Sequence, residues 1–195
     1  MDECEEPPQV RPCKVPSSYS SMQVNGREAS EPTTTIVNEV ITALTQPNVI
    51  ILGMYGSSDA RMIKVVDNIT RRVQRNGVFD VVVMATVEIK NTCWSSWSTK
   101  SPDLRRIQDE LGNMLGLRLQ QQTLKKRASQ LRDWIKMKGK ILIILYGLWG
   151  EIDLSKIGIP FGNDHDGCKI VLVAESQEVL SNQKNVPQMN ICTSL

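Results

Sequence analysis

Val49-Ile50-Ile51-Leu52-Gly53-Met54 runs directly into Tyr55-Gly56-Ser57-Ser58-Asp59-Ala60-Arg61, after which Met62, Ile63, Val66, Ile69 and Val73 recur at helical spacing. A short run that is apolar throughout suits a strand buried on both faces, and the stripe behind it suits a helix lying on the sheet. The same alternation continues downstream. Val78 to Val87 reads as a second strand, Ile141-Leu142-Ile143-Ile144-Leu145 as a third and Ile170-Val171-Leu172-Val173 as a fourth, with a fifth beginning over Met189 to Cys192. Between them lie two helical stripes. One is Leu104, Ile107, Leu111 and Met114 behind Ser101-Pro102, with proline suited to a first helical turn; the other is Leu124, Ala128, Leu131 and Ile135. Upstream, Pro32 and Thr33-Thr34-Thr35 start a helix carrying Ile36, Val37, Val40, Ile41 and Leu44, which ends near Pro47. Apolar strands separated by helices, without hairpin turn signals, predict an α/β fold with a parallel sheet covered by helices on both faces. No internal repeat is visible.

Composition narrows the class. The chain has 195 residues, enough for one domain and a tail. Residues 1–32, rich in Glu, Pro, Ser and Gln, read as a flexible lead-in, and residues 33–195 as the domain. A net charge of +2 argues against nucleic acid as a partner. The basic cluster Lys125-Lys126-Arg127 reads as a solvated helix face. The five cysteines include no CxxC pair and the chain has a single histidine, which argues against a structural zinc. The acidic start MDECEEPPQV does not resemble a signal peptide, and no apolar run is long enough for a membrane span. The expected location is a reducing cytoplasm.

Ligands of parallel sheets bind outside the carboxyl ends of the strands. A phosphate loop after the first strand needs glycines that let N–H groups converge on phosphate, a lysine for the β and γ phosphates and a hydroxyl for Mg²⁺. Here Gly56 keeps that character, Ser57 and Ser58 are small, and Arg61 is the nearest cation; these four form the candidate nucleotide contact. The third strand runs into Tyr146-Gly147-Leu148-Trp149, where metal-assisted phosphoryl transfer would want carboxylates. The fourth runs into Ala174-Glu175, where a cation would be wanted. Asp164-His165-Asp166 lies in a polar loop and is not read as a catalytic or metal cluster, and no Ser or Cys is paired with a base.

A longer pattern accompanies these strand ends. It includes Ile36-Val37-Asn38-Glu39-Val40, Gly53-Met54-Tyr55-Gly56, Phe79-Asp80-Val81-Val82-Val83-Met84-Ala85-Thr86-Val87, and Ile107-Gln108 with Leu115-Gly116-Leu117. It continues through Lys140 to Leu145, Leu148-Trp149, Ile152-Asp153-Leu154, Ile157 to Gly162, Gly167 to Ile170 and Glu178-Val179-Leu180-Ser181. From about Thr33 to Leu195 the chain resembles the nucleotide-binding (NB-ARC) domain of plant disease-resistance proteins of the coiled-coil/leucine-rich-repeat class. The resemblance implies a parallel sheet of the P-loop NTPase type, ADP held at rest and exchanged for ATP on activation, and a role in pathogen perception. It also places Val24-Asn25-Gly26-Arg27-Glu28 near an adenine.

Departures from the family pattern fall on the chemistry. With Met62-Ile63-Lys64 as anchor, the loop is three residues short, which sets Asp59 at the lysine's place and Ala60 at the hydroxyl's. Tyr146 and Gly147 replace paired aspartates, and Val173, Ala174 and Glu175 replace Thr-Thr-Arg. Extra residues around Cys93, Trp94 and Trp97 follow the second strand, as a folded-back surface loop or a partner patch. The chain reads as truncated after the fifth strand, without the family's further helical regions. Two functions stand at this point. One is a defence-related protein with a degenerate nucleotide site and no catalytic residues or metal, acting on protein partners such as full-length resistance proteins or pathogen-sensing components. The other is a switch that retains ADP without hydrolysing ATP.

Overall fold

The computed structural model describes residues 31–57, 60–87, 101–120, 123–183 and 189–192, the last four and residues 31–32 by backbone alone. The elements follow the expected alternation. Helix α1 spans Glu31–Thr45, strand β1 Ile51–Tyr55, α2 Ala60–Arg75, β2 Val81–Thr86, α3 Leu104–Met114 and α4 Leu124–Lys136. After them come β3 at Ile141–Leu148, the short α5 at Leu154–Ile157, β4 at Cys168–Ala174, α6 at Gln177–Ser181 and β5 at Met189–Cys192. Helix α1 starts at Glu31, so its first two residues come from the stretch read as lead-in.

The five strands form one parallel sheet in the order β2-β3-β4-β1-β5. From β1 the chain crosses to the far edge and works back inward, so right-handed crossovers must put α2 on one face and the later helices on the other. Core composition follows this rule. Leu52, Met54, Leu142, Ile144, Val171 and Val173 pack with α1 and α2. Ile51, Ile143, Leu145, Ile170 and Leu172 point the other way and pack with α3 to α6. Successive strand residues thus serve opposite faces, as the strand period of two requires.

Three helical stripes are adjusted by the fold. In α2 the buried row is Met62, Val65, Val66, Ile69 and Val73, while Ile63, one residue off that row, is 56% exposed. Leu124 and Met114, at helix ends, are also exposed.

Arg127 corrects the reading of the basic cluster as a solvated face. It shares the inward row of α4 with Leu131 and Ile135 and is only 2% exposed. Its guanidinium donates to Gln108 Oε1 at 3.0 Å, to the Leu119 carbonyl at 2.7 Å and to the Asp109 carboxylate. Gln108, itself buried, donates through Nε2 to the carbonyls of Leu124, Lys156 and Ile157. One Arg–Gln pair therefore locks α3, α4 and α5 together. The guanidinium is tolerated inside because its donors meet acceptors in fixed geometry. Gly158 closes the same junction. With φ +100° it caps α5, and a Cβ there would lie 2.2 Å from the Ala128 carbonyl oxygen.

Removing the buried Arg127 side chain leaves Gln108 Oε1 and the Leu119 carbonyl without their donor and opens a cavity, while half-exposed Asp109 can turn to water. Arg127→Ala is therefore expected to cost about 3–5 kcal/mol in urea denaturation, against under about 0.5 kcal/mol for the neighbouring exposed Lys126→Ala.

Candidate functional site

The carboxyl edge of the sheet gathers the residues that the sequence singles out. Strands β1, β4 and β3 are consecutive in the sheet, so Tyr55 pairs with Ala174, and Tyr146 with Val173. The ends of these three strands form one continuous ledge in front of the α2 N-terminus.

Gly56 follows β1 and is buried, and its N–H donates to the Ala174 carbonyl at 3.1 Å. The first N–H of the loop is thus spent on the sheet. Ser57 is exposed, Ala60 opens α2, and Arg61 is exposed in its first turn. Ser58 and Asp59 lie outside the described residues, as do the Val24–Glu28 segment and the stretch holding Cys93, Trp94 and Trp97.

The end of β3 carries a feature that periodicity alone does not reveal. Pairing with β4 steps from Tyr146 opposite Val173 to Leu148 opposite Ala174, so Gly147 is an extra, bulged residue. Its φ of +78° is a left-handed conformation suited to glycine. An extra residue inverts the facing of everything after it. Leu148 consequently joins Leu145 in the core cluster beneath α3 to α6, while Tyr146 stays half-buried against the α2 face. The Tyr146 carbonyl accepts from the Val87 N–H at 2.8 Å, fixing the bulge to the end of β2.

At the end of β4, Val173 and Ala174 are buried, one on each face. Glu175 is exposed on the ledge, with its N–H directed at the Leu148 carbonyl at 3.4 Å. The ends of β3 and β4 therefore offer apolar side chains, a phenol and one carboxylate.

The edge strand β2 is closed by α3. Met84 N–H donates to Met114 Sδ and Thr86 N–H to Glu110 Oε2 at 2.7 Å, which blunts that edge against strand addition. Asp164, set aside as a site residue, has a structural partner set: it pairs with Lys136 and Arg132 of α4. The hydrogen-bonded Lys136 ammonium, with Arg132 beside it, holds its carboxyl below the usual carboxylate range against a slight opposing effect of burial. Among the described residues no three His, Cys, Asp or Glu side chains are grouped to hold a metal.

With this geometry in view, comparison with known proteins places the chain. The family model described as the NB-ARC domain matches residues 33–195. The chain belongs to the NB-ARC family. Among its relatives in Arabidopsis thaliana, probable disease resistance protein At5g47260 is 35% identical over 82 residues, covering 42% of this chain and 8% of that protein. Disease resistance protein RFL1 is 25% identical over 148 residues, covering 74% of the chain and 15% of RFL1. The chain spans 8% of At5g47260 and 18% of probable disease resistance protein At5g43730, and so only a small part of these relatives' length. A solved structure titled Drosophila ORC bound to AT-rich DNA and Cdc6 overlays 75% of the chain and 49% of its own at 10% identity and a TM-score of 0.44. The α/β architecture, a five-stranded parallel sheet with helices on both faces, agrees with the fold expected of this family, and no helix among the described residues is long and apolar enough to cross a membrane.

Two outcomes test these local assignments. A Cβ at Gly147 would meet only ordinary contacts, the nearest 3.9 Å away, so Gly147→Ala should cost the conformational penalty alone, about 1–2 kcal/mol by urea denaturation. A carboxyl with a depressed folded pKa stabilises the fold above its unfolded value and loses that contribution as pH falls through the folded value. Asp164→Asn should therefore flatten the loss of stability below about pH 4, at a cost under about 1 kcal/mol at pH 7 because the pair is solvent-screened.

Proposed function

We propose that this NB-ARC chain is a defence-related module that does not turn over ATP and acts through protein contacts in the cytoplasm. The observation that carries the reading is the concentration of changes on one ledge. Tyr146 and the Gly147 bulge stand where the family pattern has carboxylates, and Val173 and Ala174, where it has Thr-Thr, are buried. Glu175 adds a negative charge to that ledge. These residues do not fit a Mg²⁺-bound triphosphate. A carboxylate a few ångströms from phosphate costs on the order of a few kcal/mol at an effective dielectric near 20. Each 1.4 kcal/mol, roughly, is a tenfold loss in affinity. Asp59, at the lysine's place by sequence, adds to the same sign.

A second reading, retention of ADP without hydrolysis, has its own support. Exposed Ser57 stands before the N-terminus of the 16-residue α2, and a helix N-terminus favours an anion through its unpaired N–H groups. On either reading protein partners carry the output, with related resistance proteins and pathogen-sensing components as the natural candidates.

The purified chain tests both. Ligand at a hundred times its Kd stabilises by about 2.7 kcal/mol, which for a domain of this size raises Tm by roughly 5–10 °C. We expect no co-purified nucleotide, no resolvable Tm shift with 1 mM ADP or MgATP, and no phosphate release above buffer. Stoichiometric ADP in the purified protein, or a multi-degree shift with ADP alone, would select the second reading.

A further inference from the structure

We propose that the opposite, amino edge of the sheet holds a binding site for a small organic carboxylate with an apolar body. A concavity of about 670 Å³ opens there, where the turns before β1, β2, β3 and β4 converge. That volume falls in the range of sites for small organic ligands. Its floor is apolar, formed by Leu44, Ile50 and Phe79 among others, and its rim carries Lys140, Lys169 and His165.

The two ammonium groups are placed differently. Lys169, half-buried, donates to the carbonyls of Gln46 and Val49, which pins its Nζ between the end of α1 and the start of β1. An ammonium has three N–H donors, so one remains for a ligand. Lys140 is exposed, and among the described residues its ammonium has no ion pair. Its backbone is fixed instead, because its N–H donates to Asp80 Oδ2 and its carbonyl accepts from Asp80 and Val81. His165 Nε2, in the same wall, is buried without a hydrogen-bond partner, an uncommon state for a buried polar atom.

Charge and shape together select the ligand class. The lining sets two lysines against one carboxylate, Asp166, which suits a monoanion better than a phosphate dianion. A carboxylate on this rim would meet the free N–H of Lys169 and the field of Lys140, with a ring or branched chain over the apolar floor. A nucleotide is excluded by the same arithmetic, and the ledge considered above lies at the other end of the strands.

Benzoate is the probe. Titrated into the full chain and followed by protein-detected NMR, it should give saturable shifts, with uncharged benzamide at least about tenfold weaker for lack of the charge-assisted bonds. Lys140→Gln, at an exposed position outside the core, should weaken benzoate by roughly five- to tenfold, and Lys169→Met by more. Because Lys169 also holds backbone carbonyls, Lys140→Gln is the deciding variant, with its fold checked by circular dichroism. Millimolar ADP should leave the benzoate titration unchanged whichever reading of the nucleotide ledge holds. Equal affinity for benzamide, competition by inorganic phosphate, displacement by ADP or an unchanged Lys140→Gln titration would overturn the proposal.

Discussion

Parallel pairing of β1 with β4 is the constraint on which the rest of the molecule depends. It joins Ile51 to Ile170 and Tyr55 to Ala174 across more than half of the chain. The strands between them must fit on one side of β1, and right-handed crossovers then assign α2 to one face and α3 to α5 to the other. Lys169 reinforces the joint from the β4 side by holding the carbonyls of Gln46 and Val49. The same pairing brings Gly56 against Ala174, so the candidate ledge is a by-product of the sheet's own register.

The strands and their faces were legible in the sequence because apolar runs and helical stripes both come from burial, and burial is what the sheet imposes. Boundaries were less so. The third strand extends to Leu148 rather than stopping at Leu145, because a bulge lets pairing continue through a residue pair, Tyr146-Gly147, that looks like a turn. Arg127 misled for a different reason. Its charge argued for solvent while its spacing from Leu131 and Ile135 argued for the core, and spacing prevailed once Gln108, Asp109 and Leu119 supplied acceptors. The buried Gln108 carried no such contradiction, yet nothing in its spacing announced that it would bridge three helices.

The positions of the ledge were legible as places and partly as contacts. That the strand ends would converge follows from any parallel sheet of this type. What spacing could not express is that Gly56 N–H would be used by Ala174, or that the residue standing at a carboxylate's place would be a left-handed glycine. Those facts depend on register, and register depends on which strands are neighbours.

A sheet edge that holds a ligand carries polar groups whose partners arrive only with that ligand, and such groups cost stability in its absence. In this chain the positions at the ends of β3 and β4 lie in the interior. Val173, Ala174 and Leu148 are each at most 3% exposed. Side chains buried to that degree contribute about 1.5–3 kcal/mol each when they are Val- or Leu-sized. The bulge at Gly147 is what makes the third of these burials available, since without the extra residue Leu148 would face the α2 side. Burial of these strand ends and the absence of carboxylates at the end of β3 thus go together in this sheet. The side chains that close these strand ends therefore belong to the same packing that holds α3 to α6 on the sheet.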